Sequence, residues 1–143
     1  MKIGIAADHH GVRKKEKIKK YLEHLGHEVT DYGSNTVFAV DYPEYAFKVG
    51  KALKEEVELG ILICRTGIGM SIAANKVKGV RCALVHNTKE AKLARLHNDA
   101  NILALGSDMS MFRIKDILDV FINTKFSNEE RHSRRVELIN KHK

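Results

Sequence analysis

The stretch that most constrains this chain runs from Leu59 to Lys76, where an apolar run, Ile61-Leu62-Ile63, ends at Cys64 and Arg65-Thr66-Gly67-Ile68-Gly69-Met70 follows. The run is too short for a helix and rich in β-branched residues, which predicts a strand buried on both faces. Two glycines one residue apart then turn the chain, and Met70 to Lys76 has the composition of a helix. A Gly-rich strand-to-helix turn brings backbone N–H groups up to whatever sits above it, and a helix N-terminus adds partial positive charge. The stretch therefore predicts an anion cradle with a thiol at its edge. Its spacing fits neither the dinucleotide-binding fingerprint nor the P-loop, since no third glycine follows at the right interval and no Gly-Lys-Ser/Thr occurs. A lone cysteine is ordinarily a small buried hydrophobe. Cys64 differs in position, directly before a helix N-terminus, where a thiolate is favoured.

The rest of the chain alternates around that unit. Residues 2–7 read as a strand that ends in the turn Asp8-His9-His10-Gly11, and Ile18, Tyr21, Leu22 and Leu25 recur at helical spacing up to Gly26. A second strand over 27–32 stops at Gly33, and 34–40 reads as a loop. Asp41-Tyr42-Pro43 starts a helix to about Val57, with Tyr45, Ala46, Val49, Ala52 and Leu53 as its buried stripe. After the Cys64 unit come a strand over 80–85, a helix capped by Asn87-Thr88 and reaching about Leu96, and a strand over 102–105. Two helices, from Met109 to about Thr124 and from about Asn128 to His142, complete it. Such alternation predicts an α/β/α sandwich around a five-stranded parallel, Rossmann-like sheet in a single domain.

In that fold, ligands bind beyond the C-terminal ends of the strands, where strand order reverses. If the first and third strands are neighbours, a carboxylate, an imidazole and a thiol from Asp8, His9 and Cys64 meet in one crevice lined by the Gly67 and Gly69 amides. That set suits proton transfer on a small polar substrate, although Asp8-His9 equally fits an Asx-type turn capping the first helix. His97-Asn98-Asp99 precedes the fifth strand and so falls at the opposite edge of the sheet. It is either a helix-ending turn or part of a site in a second subunit. Arg131 and Arg135 lie at i,i+4 on one helix face, which suits a phosphate as well as a solvated surface.

The formal net charge is +7, which points to an anionic partner. Nucleic acid is disfavoured, because the lysines of 13–20 fall on an amphipathic helix, where solvated charge is the default, and aromatics amount to only 6% for stacking on bases. With 43% hydrophobic and 30% charged residues the chain is not of a disordered type. No apolar run approaches a membrane span, and the opening residues read as a strand rather than a signal peptide, so a cytoplasmic protein is expected. The two cysteines and eight histidines lack the spacing of a disulfide framework or a zinc site.

Five motifs in register, Asp8-His9, Asp41-Tyr42-Pro43, Cys64-x-Thr66-Gly67-Ile68-Gly69 through Lys76, His97-Asn98-Asp99-Ala100-Asn101 and Arg131-His132-x-x-Arg135, resemble the B-type ribose-5-phosphate isomerases, a family that includes the galactose-6-phosphate isomerase subunits. The resemblance spans essentially the whole chain. It implies an aldose–ketose isomerase of sugar phosphates, most directly ribose 5-phosphate, working through a cis-enediolate without a cofactor. It further implies a homodimer or dimer of dimers with active sites shared between subunits. By the same resemblance Cys64 is the base and Thr66, with the amides of Arg65, Gly67, Ile68 and Gly69, holds the enediolate oxygens. His97 opens the sugar ring, Asp8, His9 and Asn98 contact sugar oxygens, and Arg131 and Arg135 clamp the phosphate. Two positions depart from the family pattern: Arg65 stands where glycine is usual, and Asp108 stands in Gly106-Ser107-Asp108 where an arginine is frequent. Isomerisation of a hexose, allulose or tetrose phosphate is the alternative activity, and a non-catalytic binder of sugar phosphate or nucleic acid is the other class.

Overall fold

The computed structural model describes residues 1–142. Strands β1 (Lys2–Ala7), β2 (Glu28–Asp31), β3 (Leu59–Cys64), β4 (Cys82–Leu84) and β5 (Ile102–Gly106) form one five-stranded sheet. All its pairings are parallel, in the order β2-β1-β3-β5-β4. Helices α1 (Val12–His24), α2 (Tyr42–Ala52), α3 (Ile68–Ala74), α4 (Thr88–Asn98), α5 (Met111–Asn123) and α6 (Glu130–Lys141) connect and flank it.

The two-residue period of a strand divides the core into two layers. Ile61 and Ile63 point to the side covered by Ile18 and Leu22 of α1, Ala91 and Ala94 of α4, and Ile114 and Phe121 of α5. Leu62 and Cys64 point to the other side, against Ala46 and Val49 of α2 and Met70 and Ala73 of α3. The sandwich expected from the alternation is therefore present, with Cys64 assigned by parity to the α2 and α3 layer. Burying one such Ile or Leu side chain contributes roughly 1.5–3 kcal/mol.

Several boundaries differ from the sequence reading. The second helix ends at Ala52 rather than near Val57, because Leu53 leaves it and Lys54 adopts a positive φ of 87°. The polar helix formers Lys54, Glu55 and Glu56 extend the apparent pattern, but the chain must turn back to enter β3 at Leu59. Helix α3 starts at Ile68, two residues earlier than expected, and stops at Ala74. Strand β4 is limited to Cys82–Leu84 at the sheet edge. Helix α5 begins after Ser110, whose side chain accepts the Arg113 N–H. Asn128, with φ of 58°, lies outside α6.

The basic run on α1 holds the largest correction. Lys15 is not solvated but fully buried, and its ammonium donates to both oxygens of Asp31 at 2.8 Å, to the Ser34 carbonyl at 2.7 Å and to Asn35 Oδ1 at 2.7 Å. A buried ammonium is tolerated only when paired and fully hydrogen-bonded, and here it ties α1 to the segment leaving β2. No helix among the described residues is long and apolar enough to cross a membrane.

Candidate active site

From β1 the chain passes to β2 on one side and then, after α2, to β3 on the other. The connections after β1 and β3 thus diverge and leave a crevice above the sheet. The register Ala7↔Ile63 and Cys64↔Gly106 brings Asp8, Cys64 and Gly106 level at the strand ends, and the Asp8 N–H donates to the Ile63 carbonyl at 3.1 Å. Asp8 and Cys64 are each only 6% exposed.

The Asx-type turn read from Asp8-His9 is present. Asp8 Oδ1 accepts the N–H groups of His10 at 2.9 Å and Gly11 at 3.0 Å, an Asx-type turn that opens α1. The same turn fixes the carboxylate at the crevice floor. His9 Nδ1 accepts the Val40 N–H at 3.4 Å, which leaves Nε2 as the nitrogen that can present a donor.

The turn after β3 is built around the thiol. The Gly67 N–H donates to Cys64 Sγ at 3.1 Å. Gly67 has φ of 81°, and a Cβ there would meet Leu84 Cδ1 at 2.6 Å and the Leu105 carbonyl carbon at 3.0 Å, so conformation and space both require glycine. A Cβ at Gly69 would lie 2.6 Å from the Tyr42 ring, which places Tyr42 over the turn. The Ile68 N–H donates to Thr66 Oγ1 at 3.2 Å. Two amides of the expected cradle, those of Gly67 and Ile68, are therefore turned onto Cys64 and Thr66. Arg65 and Asp108 are both exposed near the ends of β3 and β5. Neither enters an ion pair among the described residues.

A second polar group assembles at the opposite edge. Helix α4 ends at Asn98, and Asp99, at φ of 45°, pairs with Arg95 at 2.9 Å and Arg81 at 3.4 Å. The exposed Asn98 gives its carbonyl to Arg81 Nε at 3.1 Å. His97 is half-buried, with its ring 4.3 Å from that of the buried His132. Arg131 and Arg135 stand exposed beside His132 on α6, Arg131 reaching Glu129 at 3.4 Å. A five-residue strand such as β5 separates the two sheet edges by about 15 Å at ~3.3 Å per residue. Asp8, His9, Cys64, Thr66, Gly67, Ile68 and Gly69 are thus brought together. His97, Asn98, Arg131 and Arg135 form a separate group.

Sequence reading passed over two members. Tyr42 was visible only within a helix-start motif, and His132 only as a neighbour of two arginines. No group of three or more His, Cys, Asp or Glu side chains among the described residues is arranged to hold a metal ion.

Residues 3–139 match the family described as Ribose/Galactose Isomerase. Among curated relatives, a putative sugar phosphate isomerase of Bacillus subtilis is 47% identical over 97% of this chain and 95% of its own length. Ribose-5-phosphate isomerase B of Escherichia coli is 41% identical over 96% and 93% respectively. Among solved structures, a ribose-5-phosphate isomerase B of Clostridium thermocellum superposes with a TM-score of 0.95 at 45% identity, covering 98% of this chain and 95% of that one.

Proposed function

The chain belongs to the ribose/galactose isomerase family, and from that premise we propose that this sugar-phosphate isomerase interconverts ribose 5-phosphate and ribulose 5-phosphate with Cys64 as its base. The observation that carries the proposal is the Gly67 N–H on Cys64 Sγ, level with Asp8 on the adjacent strand. Aldose–ketose exchange removes a proton from C2 and returns it to C1 while the O2 hydroxyl proton is exchanged for one on O1, and negative charge builds on these oxygens in between. The sulfur takes and returns the proton. Because Thr66 Oγ1 already accepts the Ile68 N–H, its own hydroxyl proton is available to an enediolate oxygen. Asp8 and the Nε2–H of His9 suit sugar hydroxyls, and the exposed pair Arg131 and Arg135 suits the phosphate.

His97, Asn98, Arg131 and Arg135 are too far from Cys64 to serve the same crevice, so in this reading they complete the crevice of a partner subunit in a homodimer or dimer of dimers. The surface between them supports pairing: a groove of about 260 Å³ lined by Val80, Ala83, Ala94 and Ile139 runs past edge strand β4. Ile68 and Ile72 on α3 are 50% and 61% exposed.

The test is turnover of a panel of tetrose, pentose and hexose phosphates in D₂O. Ribose 5-phosphate should give the highest kcat/KM, with solvent deuterium entering the product. A higher value on a hexose, allulose or tetrose phosphate would replace the sugar, and no turnover on any would leave a binding protein. Arg65 and Asp108, exposed near the crevice mouth, are what favour an altered sugar. If Arg65 supplies phosphate-binding charge, Arg65→Gly raises KM about tenfold, the factor for one lost charge-assisted hydrogen bond of ~1.5 kcal/mol. An unchanged KM for every sugar phosphate would make Arg65 a solvated surface charge.

A further inference from the structure

His132 has no part in the chemistry described above, yet it is buried, 6% exposed, on a helix where Glu130, Arg131, Arg134 and Arg135 are exposed. Its ring lies 4.3 Å from His97 with a 34° angle between the planes. Its Nδ1 is 2.8 Å from Ser127 Oγ. The Ser127 N–H in turn donates to the carbonyl of Leu96, the residue before His97, at 3.1 Å. Leu96, Ser127, His132 and His97 therefore close a circuit that ties the backbone at His97 to the ring packed on its side chain.

From this geometry we infer that His132 is a positioning residue for His97, holding its imidazole in one orientation. The inference rests on the reading of His97 as the group that opens the sugar ring. An imidazole on a half-buried helix end can rotate about its Cβ–Cγ bond, and covering one face removes that freedom. A histidine also suits the place electrostatically. Burial, His97, Arg131 and Arg135 hold His132 below the usual imidazole range against the pull of Glu129, so the ring packed on His97 favours its neutral form.

Ring opening of an aldopentose 5-phosphate takes the proton from O1 and gives one to O4 as the C1–O4 bond breaks. The ketose phosphate arrives open, because its O5 is esterified and cannot close a five-membered ring. Loss of His97 orientation should therefore slow the aldose direction selectively.

Initial rates in both directions for His132→Ala, His132→Phe and Ser127→Ala, with His97→Ala as reference, test this, together with the imidazole NMR signals of His97. His132→Ala should slow aldose turnover about tenfold and ketose turnover less than about twofold, as expected for misplacing one reacting group. His132→Phe keeps a stacked ring and should stay within about threefold of wild type in both directions. The His97 signals should move in His132→Ala. Unmoved His97 signals, unchanged aldose turnover, or equal slowing in both directions while His97→Ala remains selective would overturn the positioning role. If His97→Ala itself slows both directions equally, the ring-opening reading fails, and the His97 signals alone decide whether His132 positions it.

Discussion

Replacing Cys64 by alanine should lower kcat by a factor on the order of 10² to 10⁴ while KM changes little, as loss of a general base does when the binding groups remain. The split follows from the geometry. Cys64 lies at the end of β3 and accepts the Gly67 N–H, whereas the phosphate is assigned to Arg131 and Arg135 on α6. The only other cysteine, Cys82, gives a built-in control: it is half-buried and so more open to a reagent than the buried Cys64, but desolvation pushes its thiol up to about 12. Iodoacetamide at neutral pH should therefore modify Cys64 first, with loss of activity and protection by sugar phosphate. Near wild-type turnover of Cys64→Ala would move the base to Asp8, and alkylation confined to Cys82 would count equally against Cys64.

Lys15→Met should lower the unfolding free energy by about 3 kcal/mol, the lower end of what breaking a buried ion pair costs. Methionine fills the space of the aliphatic stem but gives nothing to Asp31, to Asn35 or to the Ser34 carbonyl. Asp31 keeps Lys19 at 3.0 Å and the Gly33 N–H at 2.8 Å, which limits the loss. The pH dependence has a definite sign. Burial pushes Asp31 up, but Lys15, the Gly33 N–H and Lys19 outweigh it and leave the carboxyl below its ordinary 3.8. A folded value depressed below the unfolded one contributes stability that is complete above pH 3.8 and is lost as pH falls through the folded value. Lys15→Met weakens that depression, so the variant should lose less than wild type on acidification. Urea midpoints at neutral pH and near pH 3 read both effects, and equal midpoints at neutral pH would show that the Lys15 cluster adds no net stability.

Much of this molecule could be read before its structure. Local periodicity carries the alternation of strands and helices, and the Cys64 turn, the Asn87 cap and the glycine after α1 each have a local physical cause. The sheet order does not, because placing β5 between β3 and β4 depends on pairings distant in sequence. Other misses left signals that went unused. Lys15 shares the helical face of Ile18 and Leu22, and His132 shares that of Val136, so each occupied a position of the buried stripe. Charge and polarity argued for solvent at both places, and specific partners from other elements overrode them. The end of α2 was missed because Lys54, Glu55 and Glu56 are good helix formers at a point where the chain must reverse. For the candidate site, the level placement of Asp8 and Cys64 at the strand ends matches the sequence expectation, and the position of His97 at the opposite ends of the strands followed only from its place before β5.

Mixing two variants that each fail in the aldose direction tests that separation most directly. Cys64→Ala and His97→Ala, assayed in the aldose direction where each alone is impaired, are unfolded together and refolded, and subunit exchange is verified by native mass spectrometry. If one subunit's His97 completes its partner's Cys64 crevice, a heterodimer contains one wild-type site. Random pairing in a two-fold symmetric dimer then restores about a quarter of wild-type activity. Verified exchange with no recovery would contradict a site built from two chains.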